Sequence, residues 1–169
     1  SVRALVERGD VIGSRALDEE EARALGVGDD VELALEHPRL PLVTYPYEWT
    51  FAMLKDAALL TLRILRETLA DGISLKDATP YNVQFQGALP VFIDVGSFER
   101  RADTDPWFGQ VQFRSMFLYP LMLQAYAGAA FQPWLRGSLE GITPTDMDGI
   151  LRGLRLRRRR GRLIHVRLH

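Results

Sequence analysis

The chain has 169 residues, 47% of them apolar, which is enough for one domain with its own hydrophobic core. A formal net charge of −1 gives no electrostatic case for a nucleic-acid or membrane-surface partner. No cysteine is present, which excludes disulfides, thiolate metal centres and cysteine nucleophiles.

The opening "SVRALVERGD" carries charges where a secretion signal needs an apolar run, so a cytoplasmic protein is expected. Val2 to Arg8 reads as a short helix that Gly9 and Asp10 stop. Asp18 reads as the N-cap of a second helix, with Glu19, Glu20 and Glu21 in the first turn, where acidic groups suit the helix dipole. "VELALEH" (Val31 to His37) and "LPLVTY" (Leu40 to Tyr45) read as two strands able to pair as a hairpin, the second more buried. Thr50 then caps the clearest amphipathic helix, with Phe51, Leu54, Ala58, Leu62, Leu65 and Leu69 on one stripe and Gly72 at its end.

Next comes a loop from Lys76 to Tyr81, a short strand "NVQF", a turn at Gln86 to Ala88 and a second strand "PVFID". Ser115 to Leu135 holds no charged residue and has the length of a membrane span. Gln124, Gln132, Pro120, Pro133 and Gly128 interrupt it, so a buried helix is expected and a membrane span is not. A last helix is expected over "ITPTDMDGILRGLRLR", capped by Thr145 or Asp146, and a strand over the closing "GRLIHVRLH". With no initiator Met and no tail after that strand, the chain reads as a piece of a longer protein.

The chemistry concentrates in "SLKDATPYNVQFQGALPVFIDVGSFE", Ser74 to Glu99. Asp77 stands in a loop after the long helix, and Asn82 follows five residues later. A hairpin then returns the chain to Asp94, with Gly96 two residues beyond. Phosphoryl transfer needs a carboxylate to orient or deprotonate a hydroxyl, and oxygen ligands for the magnesium ions that bridge the phosphates. A plainer reading stays open, in which Asp77, Asn82 and Asp94 serve only turn chemistry.

The spacing Asp77–Asn82 and the run Asp94–Val95–Gly96 resemble the D-x-x-x-x-N catalytic loop and the later D-x-G of the protein-kinase-like superfamily. The resemblance implies an α+β fold. A partial small lobe with a strand hairpin, and the hinge, would occupy residues 1–49. A mostly helical large lobe with a catalytic-loop β-hairpin would occupy 50–169. It implies ATP and magnesium as cofactors, Asp77 and Lys76 as catalytic residues, and Asn82 and Asp94 as metal ligands. Tyr45, Tyr47 and Gly96 would contact the nucleotide, although aromatic packing on the long helix is the favoured reading of Tyr45, Tyr47 and Trp49. The usual His-Arg before the catalytic aspartate is Leu75-Lys76 here, and neither the phosphate-covering glycine loop nor its strand lysine is present. Glu7 would be the counterpart of the glutamate that partners such a lysine.

The stretches "YPYEWTFAMLKDAALLTL", "SLKDATPYNVQF" and "PVFIDVGSFE" also resemble the N-terminal region of bacterial nodulation-type class I SAM-dependent methyltransferase proteins. That resemblance implies a methyltransferase domain beyond this chain, which alone would use SAM. The chain would then be a phosphotransferase-type module acting on a small-molecule or glycan acceptor, or an inactive scaffold that presents substrate to the methyltransferase. "VFIDVGS" by itself also looks like a SAM-binding strand and turn, but the further glycines and prompt helix that such a turn needs do not follow. His37, His165 and His169 are too scattered for a metal site. The basic run from Arg152 to Arg167 reads as a solvated helix end and linker, without a nucleic-acid role.

Overall fold

The structure, a computed structural model, describes residues 1–28, 31–101 and 106–153. The strand expected at "GRLIHVRLH", the basic run past Arg152 and both C-terminal histidines lie outside the described residues.

Helix α1 (Val2–Glu7) buries Leu5 and stops at Gly9, whose φ of 78° a side chain would resist. The chain then runs straight into the core. Phe92 N–H donates to the Asp10 carbonyl (2.9 Å), Ile12 N–H donates to the Phe92 carbonyl (2.8 Å), and Val11 bridges Phe92 in parallel. Asp10 is clamped from two sides, by Arg8 at 2.7 Å and by Arg63 at 2.5 Å. Glu7 faces away from this clamp and pairs with Arg3 on the exposed side of α1.

A small exposed layer follows. Strand β1 (Arg15–Ala16) pairs antiparallel with β2 (Leu35–Glu36), and α2 (Glu19–Ala24) lies between them in sequence. Asp18 caps α2 with a complete capping box: Glu21 N–H donates to its carboxylate and Asp18 N–H donates back to the Glu21 carboxylate. The hairpin between Val31–His37 and Leu40–Tyr45 is not found. Only Leu35 and Glu36 of the first segment are strand, and their partner lies upstream at Arg15–Ala16. Leu40–Tyr45 is not strand, and Leu42 and Val43 are exposed. Side chains hold it instead. Buried Gln84 grips both backbone groups of Thr44 at 2.9 Å, and Trp49 Nε1 donates to the Thr44 hydroxyl at 2.8 Å.

A 3-10 turn (Pro46–Glu48) leads to α3 (Phe51–Leu69), which Thr50 caps by accepting from Met53 N–H. The buried face of α3 runs through Leu54, Ala57, Ala58, Leu60, Thr61, Ile64, Leu65 and Thr68. The expected stripe was rotated: Leu62 is exposed, while Thr61 and Thr68 are buried and bond to the carbonyls of Ala57 and Leu65. A hydroxyl satisfied by its own helix can sit in a core.

Strand β3 (Ile73–Leu75) pairs antiparallel with β6 (Phe98–Arg100), and β4 (Val83–Gln86) with β5 (Leu89–Phe92) around a tight turn at Gly87. The helical run expected from Gln110 is present as α4 (Gln110–Phe113), a π turn (Arg114–Leu118), α5 (Tyr119–Met122) and a second π turn (Leu123–Ala127). Gly128, at φ 68°, ends it, so the uncharged segment is broken before α6 (Gln132–Gly137). No helix among the described residues is long and apolar enough to cross a membrane. The last helix is α7 (Pro144–Gly153); Thr143, just upstream of the expected Thr145 or Asp146, caps it by accepting from Asp146 N–H. Trp49, Leu54, Ile64, Phe92, Phe117 and Phe131 are buried in one core shared by α3, the β4–β5 hairpin and the α4–α5 run. The architecture is α+β.

Candidate functional site

Two loops meet above this core. The first joins β3 to β4 and carries Lys76, Asp77 and Asn82. The second joins β5 to β6 and carries Asp94, Gly96 and Ser97. The β3–β6 ladder places their ends side by side, and Lys76 N–H extends it by donating to the Ser97 carbonyl at 2.9 Å. Pairing of Asn82 with the other loop continues the β4–β5 hairpin: Ile93 N–H donates to the Asn82 carbonyl at 2.8 Å.

The structure links Asn82 to Asp94 through Ser97, and Asp77 joins them through its backbone carbonyl only. Asn82 Nδ2 donates to Ser97 Oγ (3.1 Å) and reaches the Asp77 carbonyl (3.5 Å). Ser97 Oγ donates to Asp94 Oδ2 at 2.5 Å. The other Asp94 oxygen accepts from Gly96 N–H at 3.1 Å, which makes Asp94 the cap of the turn Val95–Ser97. Thr79 Oγ1 donates to Asn82 Oδ1 at 3.2 Å. Asp77 is held from a third element: Gln112 on α4 donates to Asp77 Oδ1 (3.2 Å) and accepts from Ala78 N–H (2.8 Å). Trp107 Nε1 donates to the Leu75 carbonyl at 2.8 Å, pinning the loop at its start. The close approach needs a glycine: a Cβ on Gly109 would lie 2.7 Å from Trp107 Nε1 and 3.0 Å from the Ala78 side chain.

Asp77, Asn82 and Asp94 are half-buried, Lys76 and Gly96 are exposed, and Ser97 is fully buried. Lys76 joins the cluster through its backbone only. Tyr45 and Tyr47 stack with their rings parallel and the centroids 5.3 Å apart. Burial raises the Tyr81 phenol above its ordinary value, and neighbouring Tyr47 adds to the shift. An open, mostly apolar groove is lined by Ile12, Pro38, Leu40, Val43 and Ile93, with His37 at its side. Ile93, at the end of the groove's lining, directly precedes Asp94 in sequence.

Sequence reasoning missed Gln112, Thr79, Trp107 and Ser97 as parts of this site. Gln112 carried no local signal, since its role depends on a contact 35 residues away. Ser97 carried one: a hydroxyl three residues after an acidic cap is a common way to close a turn.

The donor set suits a hard cation. The Asp94 carboxylate and the Asn82 amide offer oxygen donors of the kind magnesium takes together with substrate phosphates, and each of these oxygens accepts a hydrogen bond, from Gly96 N–H, Ser97 Oγ and Thr79 Oγ1. Among the described residues no group of three or more histidines and carboxylates forms a self-sufficient metal site. The glycine-loop reading of "VFIDVGS" does not survive: β5 is followed by a 3-10 turn and an antiparallel strand, where a SAM-binding turn must open a helix.

The molecule is thus an α+β domain built around a carboxylate–amide cluster on two apposed loops. No family model matches the chain, and no solved structure matches it. It is similar to the nodulation protein NoeA of Rhizobium meliloti (strain 1021), with 45% identity over 117 residues, 69% of this chain. The match spans 25% of that relative's length. A bacterial nodulation protein agrees with the nodulation-type part of the resemblance read from the sequence; the match says nothing of a kinase-like or methyltransferase domain.

Proposed function

We propose that the chain is a nucleotide- and magnesium-binding module of phosphotransferase type. One observation supports the reading: Asp77, Asn82 and Asp94, spread over 18 positions of sequence, lie on two loops that two antiparallel pairs and the bonds of Asn82 to Ser97 and the Asp77 carbonyl, and of Ser97 to Asp94, hold together. In this reading the groove takes a nucleotide base, and Asn82 and Asp94 hold the cation. Magnesium, when bound, would neutralise charge on the phosphate oxygens. Asp77 orients an acceptor hydroxyl and takes its proton as the oxygen attacks phosphorus and the bond to the departing nucleoside diphosphate breaks. Gln112 keeps the Asp77 carboxylate turned toward that work. Tyr45, Tyr47, Gly96 and Lys76 are the further candidates for nucleotide and phosphate contacts. The acceptor class, a small molecule or a glycan, belongs to the same proposal.

A second reading has its own support. Both oxygens of Asp94 are already engaged, by Gly96 N–H and Ser97 Oγ, as they would be in a turn that has no ligand to hold. The chain would then be an inactive scaffold that presents substrate to a SAM-dependent methyltransferase domain of a longer protein. Calorimetric titration of the full-length protein with ATP, with and without magnesium, beside an Asp94→Ala variant, separates the two. Binding that requires both magnesium and Asp94 supports the first reading. Folded proteins that give no heat in any arm overturn it and leave the scaffold.

A further inference from the structure

The hydrogen bonds around Ser97 have a direction, and a single ionised group sets it. An ionised carboxylate only accepts, so the Ser97 hydroxyl must spend its one proton on Asp94 Oδ2. Ser97 Oγ can then only accept from Asn82, which turns the Asn82 Nδ2 toward Ser97. The Asp77 carbonyl, which also only accepts, agrees with that orientation. The amide oxygen is left on the other side, where the Thr79 hydroxyl donates to it. Without Ser97 the amide loses the contact that ties its orientation to Asp94. Ser97 is 0% exposed, so water cannot take over its contacts without a rearrangement.

We propose that Ser97 is the positioning residue of this site: its buried hydroxyl links Asp94 to Asn82 and fixes the face of the Asn82 amide that a cation would meet. The proposal rests on the phosphotransferase reading above. Ser97 touches neither nucleotide nor acceptor in it and acts through its two neighbours, as groups behind metal ligands commonly do.

The test is calorimetric titration of the full-length protein with ATP, with magnesium and with EDTA, for the unaltered chain and Ser97→Ala, alongside thermal unfolding. The expected result is a loss of about 10- to 100-fold in the magnesium-dependent part of the affinity. The magnesium-free affinity should stay close to that of the unaltered protein, and the melting temperature should fall by several degrees at most, the loss of one buried hydroxyl's bonds. Equal losses with and without magnesium would mean a merely structural hydroxyl and overturn the proposal. A variant that keeps the full magnesium increment would overturn it too, while leaving the nucleotide reading intact. An unaltered protein with no magnesium dependence takes down the nucleotide reading and this proposal together. Where Ser97→Ala fails to fold, Ser97→Cys replaces it, since a thiol fills nearly the same space but is a weak donor and acceptor. Loss of the increment in folded Ser97→Cys supports the proposal, and retention of the full increment overturns it.

Discussion

The β1–β2 pair and the β3–β6 pair are both short antiparallel ladders, and their surroundings are opposite. All four residues of β1 and β2 are exposed, and the pair is held by Arg15, which reaches Glu21 at 2.7 Å and Glu36 at 2.8 Å. Ser74 and Leu75 of β3 are buried, its neighbour in the sheet lies 25 residues on, and α3 and Trp107 pack against it. Exposed ion pairs of the first kind contribute ~0–1 kcal/mol each. Burial of the second kind is worth ~25 cal/mol per Å² of apolar surface. The ladder that positions the candidate site is therefore the one tied into the core, while the exposed ladder leads only into the groove lining at His37 and Pro38.

The largest expected effect breaks the core side of that contrast. Ile64 is 0% exposed on α3 and Leu62, two residues before it, is 38% exposed. Ile64→Ala should cost about 2–5 kcal/mol in chemical denaturation, through lost burial and the cavity left behind. Leu62→Gln should stay within about 0.5 kcal/mol. Equal costs at the two positions would mean that α3 packs with the rotation read from the sequence and not the one described here.

A smaller effect is expected where the core meets the site. Gln112→Leu keeps the approximate size of the side chain and removes both of its hydrogen bonds. The Ala78 N–H, on a buried residue, is then left without its acceptor at a cost of about 1–3 kcal/mol. Magnesium–ATP affinity should hold better than turnover, since Gln112 touches Asp77 and not the two proposed cation ligands. A variant as stable and as active as the unaltered protein would detach α4 from the site.

The contrast also explains what could be read in advance. Capping signals are local, so Asp18, Thr50 and the stops at Gly9 and Gly72 fell where expected. The β4–β5 hairpin is local as well and was legible from alternation around Gly87. The gathering of Asp77, Asn82 and Asp94 followed from that hairpin and from their spacing. The β3–β6 ladder was not legible, because Ile73–Leu75 is too short to show a period and its partner is distant. The hairpin expected across Pro38 failed for a related reason. Val31, Leu33 and Leu35 alternate as a half-buried strand would, yet all three side chains are exposed and no core face is present to reward the pattern. Leu62 misled by its hydrophobicity, and Thr61 and Thr68 by their polarity.

The smallest effect is expected at the exposed layer, and its direction can be worked out. The Glu21 carboxyl is held below the ordinary glutamate range, first by the Asp18 N–H and then by Arg15. A lowered value in the folded state means that the contribution is present above the ordinary value, about pH 4.3, and is lost as pH falls through the lowered one. Below that range the protonated Glu21 releases Arg15, and both the capping box and the β1–β2 pair lose a partner. The Asp18 amide resonance should therefore titrate at a pH below the ordinary glutamate range, and in Glu21→Gln this titration should disappear. Global melting should barely notice. A difference under about 4 °C between the unaltered protein and Glu21→Gln, at pH 7 and again at a pH below the lowered value, is what an independent surface layer gives. A larger difference that vanishes on acidification would mean that the exposed ladder is coupled to the buried one, and the contrast between them would have to be withdrawn.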